Sequence, residues 1–213
     1  MRSSAACLLS LALLLPAAAP GEELGLDGLL TRMASTRGVS AHFHERREVE
    51  LLVEPLESRG TLYFVPPDRM ARFTSEPAFS SLIVQKDSVR FREAEDAPDV
   101  DLSGSPMARA FVDNFMAIFG GDRDKLLRAY RAELTERGDA WELVLSPLHA
   151  PLSRFLDRVV LRGDASGMRE MEVRDADGDR TVTAFESVEV DRSFSPAELA
   201  KLFDDGAPLA PAQ

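Results

Sequence analysis

About ten short stretches of alternating apolar and polar residues dominate this chain. Each is cut off by proline, glycine, aspartate or serine, and together they restrict the fold to an antiparallel sheet. VSAHFHERREVELLVEP (39–55) opens the series, with Pro55 as its end. GTLYFV (60–65), RMARFT (69–74), SLIVQK (81–86) and SVRFRE (88–93) come next at turn-length intervals. A second run comprises AYRAELTERG (129–138), AWELVLSP (140–147), FLDRVVLRG (155–163), GMREMEVRD (167–175) and DRTVTAFESVEV (179–190). Asp177-Gly178 is a strong hairpin turn, and Lys86-Asp87 is a weaker one. Two prolines, Pro66 and Pro67, interrupt the best hairpin; lacking amide donors, they fit an edge or a bend.

Helices punctuate the strands. ELGLDGLLTRMAST (23–36) spaces Leu26, Leu29, Leu30 and Met33 for one helix face, with Asp27 as a candidate cap and Gly38 as the stop. A polar loop at 95–106 leads into SPMARAFVDNFMAIFGG (105–121). There Ser105 and Pro106 suit the N-cap and N1 positions, and Gly120-Gly121 ends the run. Met107, Phe111, Phe115, Ile118 and Phe119 share a face, with Val112 and Met116 beside it. Such a stripe reads as ordinary core or as an adaptable binding surface, since methionine is flexible and polarisable. GDRDKLLRAY (121–130) adds one or two helical turns, and SPAELAKLF (195–203) forms a last short helix. No repeat or linker divides the chain, so residues 22–204 form one α+β domain and 205–213 a flexible tail.

The N-terminus reads as a targeting signal. Arg2 supplies the positive region, CLLSLALLLP (7–16) the apolar run and AAAPG (17–21) the small residues before cleavage. The run is shorter than the roughly 20 apolar residues of a membrane span. Residues 1–21 are therefore expected to be removed, with the mature chain starting near Glu22. The single cysteine, Cys7, leaves with them, so neither a disulfide framework nor a cysteine-borne lipid anchor is expected. An exported, disulfide-free chain fits the periplasm of a Gram-negative bacterium. Without Arg2 the 25 basic residues become 24 against 36 acidic ones, which leaves a net charge of −12. That balance repels nucleic acid and anionic membrane surfaces. It serves solubility, or a transient encounter with a basic partner.

Catalytic and cofactor motifs are missing. GDASG (163–167) places its serine wrongly for a nucleophile elbow, and no phosphate-cradling glycine loop occurs. His42 and His44 alternate on one strand without an obvious third ligand, which leaves a solvated face or a metal seat. DADGD (175–179) resembles half a calcium loop but lacks the glycine at position six and the distal glutamate, so a hairpin turn is the simpler reading. No enzyme activity, metal or cofactor is expected.

Several pieces in order carry a resemblance: LLTRM, SAHFHE, GTLYFVPPDRMARF, the spacing from Pro77 to Val89, DNFMAIFGGD, AWELVLSP and DADGDRTVTAFESVEV. Running from Leu29 to about Phe203, the chain resembles the LolA-like periplasmic outer-membrane lipoprotein carriers. The resemblance implies an incomplete antiparallel β-barrel of ten to eleven strands, with a lid of short helices around a hydrophobic cavity. Leu29, Met33, Phe115, Met116 and Ile118 match lid positions of the family, and Phe111 and Phe119 share their helix stripe. Alternation adds Leu62, Phe64, Met70, Val84, Phe91, Leu143, Leu145 and Phe185 as sheet positions facing the cavity.

The implied role is non-covalent shielding of acyl chains during passage from the inner towards the outer membrane. The expected partners are an acylated cargo, an inner-membrane exporter and an outer-membrane acceptor, met by a monomer. A lipid-sensing or interaction module on the same fold is the alternative. The family's corner arginine, which helps close the lid, is replaced here by Pro66; Arg69 and Arg72 are candidates to compensate, but the resemblance carries neither over as its equivalent. The pattern looks more like divergent relatives serving lipid or glycolipid export than like the general lipoprotein shuttle.

Overall fold

The chain enters its sheet at the centre and leaves it at the centre. The computed structural model describes residues 24–209, apart from the side chains of residues 106–108, 110 and 111. The expected signal segment, Arg2, Cys7 and the start near Glu22 lie outside the described residues. After α1 (Gly25–Ala34), the strand β1 (Val39–Glu48) pairs with β2 (Leu56–Val65). The chain then walks outward through β3 (Arg69–Glu76), β4 (Ser80–Gln85), β5 (Ser88–Arg92) and β6 (Val100–Asp101). From that edge it crosses to the opposite one through α2 (Pro106–Phe119) and α3 (Arg123–Ala129). It returns as β7 (Tyr130–Arg137), β8 (Ala140–Pro147), β9 (Leu156–Asp164) and β10 (Gly167–Asp175). The last strand, β11 (Arg180–Val190), closes against the free side of β1. All eleven strands are antiparallel to their neighbours, and β6 and β7 remain as edges. The barrel is thus incomplete, as expected.

Several local expectations need correction. β1 ends at Glu48 because its partner β11 has no residue before Arg180 to pair with Val49. The Leu52 amide instead bonds the Val49 carbonyl (2.9 Å), and the Glu50 amide donates to Asp179 Oδ1 (3.1 Å). This turn leaves Leu51 and Val53 almost wholly exposed, at 93% and 103% of the reference area. Asp27 is not the cap of α1. Its first amides, on Leu24 and Gly25, donate to the Glu136 carboxylate of β7 (3.0 and 3.1 Å), while Asp27 pairs with Arg123 (2.6 Å). The strand β6 lies inside the stretch read as a loop.

Alternation gives the sheet two faces with different fates. The inner face is covered by α1, α2 and α3, and its core includes Leu29, Leu30, Phe64, Val84, Ile118, Leu126, Leu143, Leu145 and Leu161. That cover arises from topology, because the connection between opposite edges must run across one face. On the outer face, α4 (Pro196–Phe203) seats Leu202 and Phe203 against Tyr63, Val65, Ala71, Phe73 and Ile83. Residues beyond α4 continue this contact: Gly206 is buried and Leu209 packs on the same cluster. A capping box starts α4, with Glu198 N donating to Ser195 Oγ (3.3 Å) and Ser195 N to Glu198 Oε2 (2.8 Å). Losing that cap by Ser195→Ala is expected to cost about 1 kcal/mol, read as a lower midpoint in urea.

Candidate functional site

Helices laid across a broad sheet do not fill it, and among the described residues two chambers stand out on the inner face. The larger, about 360 Å³, lies against α2 and is walled by Phe43, Leu62, Met70, Leu82, Phe115, Phe119, Met171 and Phe185. The smaller, about 110 Å³, lies against α1 and the β9–β10 turn, with Leu29, Met33, Val39, Trp141, Met168 and Val188 in its wall. Leu62, Phe119 and Phe185 line both chambers and so form the partition. Phe119 is its centre: its ring centroid lies 6.0 Å from Phe64, 5.9 Å from Phe115 and 6.3 Å from Phe185.

Close approaches shape the walls. A side chain at Gly60 would collide with the Phe73 carbonyl and the Phe43 ring, so glycine there lets Phe43 lie against β2. Gly163 does the same for Trp141, whose Nε1 donates to the Asp164 carbonyl (3.0 Å).

The larger chamber has a polar end. Across the β1–β11 seam Glu45 faces Thr183 and Arg47 faces Thr181, and all four line the chamber. Arg72 joins them from β3, with its Nη2 3.0 Å from Glu45 Oε1 and its guanidinium 4.3 Å above the Phe43 ring. Glu45 also accepts from Thr183 Oγ1 (3.0 Å) and Ser58 Oγ (3.4 Å). Arg47 pairs with Asp179 (3.1 Å). Asp175, Asp177 and Asp179 bring ligand atoms within 4.8 Å of one another at the β10–β11 turn. Burial, and then Asp177, pushes the Asp175 carboxyl above its ordinary range. Asp179 is already held by Arg47 and the Glu50 amide, so this group works as a turn anchor.

The residues expected at the cavity separate into groups. Leu29, Met33, Leu62, Met70, Phe115, Phe119 and Phe185 line a chamber. Phe64, Val84, Ile118, Leu143 and Leu145 face inward but are fully buried in the core, and Met116 packs against them. Phe91 lies directly across from Leu82 on β5, towards the β6 edge, and lines neither chamber, and the side chain of Phe111 lies outside those described. Phe43, Trp141 and Met171 follow the same alternation as Leu62. The polar lining carries no apolar signal in the sequence. His42 and His44 occupy the opposite face of β1 from Ala41 and Phe43, with His44 Nε2 3.5 Å from Glu57. No described helix is long and apolar enough to cross a membrane.

A family model described as outer membrane lipoprotein carrier protein LolA-like matches residues 18–203. No curated protein matches the chain. Among solved structures, a DUF1329 family protein from Desulfovibrio piger ATCC 29098 is 12% identical with a TM-score of 0.51, covering 86% of this chain and 96% of its own. The LolA superfamily protein NE2245 from Nitrosomonas europaea is 11% identical with a TM-score of 0.43, covering 82% and 94%. The MucA/MucB complex of Pseudomonas aeruginosa is 14% identical with a TM-score of 0.47, covering 82% and 60%. At such identities the first likeness speaks to the fold alone.

Proposed function

Because the chain belongs to the outer membrane lipoprotein carrier protein LolA-like family, we propose that it is a non-catalytic periplasmic carrier. It shields the acyl chains of a lipoprotein, lipid or glycolipid between an inner-membrane exporter and an outer-membrane acceptor. The observation that carries this reading is the pair of apolar chambers under α1 and α2, divided only by side chains. Each methylene withdrawn from water contributes about 0.8 kcal/mol, so a long acyl chain gains roughly 10 kcal/mol from such a site. Export behind a cleaved signal at residues 1–21 belongs to the same reading, with the domain beginning near residue 22.

The lid closes without the family's corner arginine. Pro66 stands there, Arg69 lies over the Phe203 ring on the outer face (5.5 Å), and Arg72 is bound to Glu45. Closure engages the aromatic contacts of Phe119, beside the exposed ion pairs Arg109–Asp87, between α2 and the β4–β5 turn, and Asp27–Arg123, between α1 and α3. The test is direct. Protein purified from an exporting host is expected to carry acylated lipid by native mass spectrometry and to bind a fluorescent fatty-acid probe one to one. Absence of both removes the carrier reading.

A further inference from the structure

The polar end of the larger chamber does more than close a wall. Packing does not require an arginine and a glutamate on the inner face of a lipid cavity, and taking charges out of water is unfavourable unless they are paired. Arg72 and Glu45 are paired with each other, and Arg47 with Asp179. Each pair is close to neutral, yet offers guanidinium N–H donors beside carboxylate acceptors, with the hydroxyls of Thr181 and Thr183 alongside.

We propose that this end seats an uncharged, hydroxyl-bearing headgroup, a glycerol or a sugar, on a lipid whose chain runs towards Phe115 and Phe119. The inference rests on the carrier reading and narrows its cargo. A hydroxyl donates and accepts at once, so it joins the Arg72–Glu45 pair without separating it. A phosphate must draw Arg72 away and leave Glu45 uncompensated, while an ammonium must draw Glu45 away and leave Arg72 uncompensated. Asp175 and Asp177 of the neighbouring turn, which Arg47 does not pair with, add repulsion against any anion. Both charged heads therefore lose to a neutral polyol of equal chain length.

Chain-matched amphiphiles test this by displacing a bound fluorescent fatty-acid probe below their micelle concentrations. Dodecyl glucoside and monolauroylglycerol represent the two polyol sources, with dodecyl phosphate and dodecylamine as the charged arms. At least one polyol is expected to displace the probe at about tenfold lower concentration than either charged amphiphile, a difference of about 1.4 kcal/mol. The better polyol tells sugar from glycerol. In Glu45→Gln, Arg72 loses its carboxylate, and dodecyl phosphate is expected to gain about tenfold while the polyols change little. Should that variant not fold, Arg72→Gln serves instead, with the gain passing to dodecylamine. Equal ranking of all heads, preference for a charged head in the unaltered protein, or an unchanged ranking in the folded variant overturns the headgroup assignment alone. Failure of the probe to bind, together with the absence of co-purified acylated lipid, removes the carrier reading and the assignment with it.

Discussion

A Phe119→Asp protein is expected to lose saturable uptake of a fatty-acid probe altogether, a fall of at least about 100-fold in affinity. Phe119 stands between the two chambers and touches Phe64, Phe115 and Phe185. A carboxylate there must keep its own hydration, which brings water into the space an acyl chain would occupy. Loss of binding through misfolding is separated from loss through chemistry by Phe119→Ala. That change removes the partition, costs about 2–3 kcal/mol of stability as a partly buried large-to-small substitution, and joins the chambers. Its chain-length preference is therefore expected to move towards longer acyl chains in a series of labelled fatty acids. An unchanged preference in a folded Phe119→Ala protein rejects the partition.

Replacing Glu172 is expected to lower stability without touching the chambers. The Glu172 side chain is 3% exposed on the outer face and is reached by Arg162 (3.3 Å), Arg174 (2.6 Å) and Arg180 (3.1 Å). Hydrogen bonds from Arg180, then from Arg174 and Arg162, hold its carboxyl down at about 2 against burial. A carboxylate lowered from an ordinary glutamate value stabilises the fold above the unfolded-state pKa, near 4.3. That contribution, about 2–3 kcal/mol, is lost as pH falls from there through about 2. Glu172→Gln removes the anion and leaves three arginines with less to compensate them. Because those arginines are themselves 38–47% exposed, they turn to water and the loss stays near 2–3 kcal/mol rather than at the upper end for buried pairs. Urea unfolding at pH 7 is expected to show that loss, and the difference between the two proteins is expected to shrink to about 0.4 kcal/mol by pH 2. A gap that is undiminished at pH 2 assigns the effect to packing instead.

The strand series was legible because each strand alternates and ends on a turn former. Asp177-Gly178 and Lys86-Asp87 both sit in hairpin connections between adjacent strands. The features that escaped a local reading depended on partners distant in sequence. Nothing local in VELLVEP says that β11 begins opposite Glu48, and nothing near Leu24 announces that Glu136 will cap its helix. The lining shows the same division. Met70 and Phe185 come directly from alternation, but Phe64 and Leu145 share their face and are sealed under helices whose placement the strands do not encode. Glu45 and Arg72 are ordinary surface residues to a local reading, and only the pairing of β1, β2 and β3 brings them together.

The seam between β1 and β11 also sets a timetable. β1 precedes its second partner by about 140 residues, and only β2 is near enough in sequence to cover it early. Until β11 arrives, Phe43 and Glu45 face a half-built wall, and one edge of β1 stays open to solvent or to any extended chain nearby. Joining the seam is what first sets Phe185 and Thr183 opposite them. A nascent or truncated chain therefore has no container in which to hold a lipid, so loading must wait for the completed molecule.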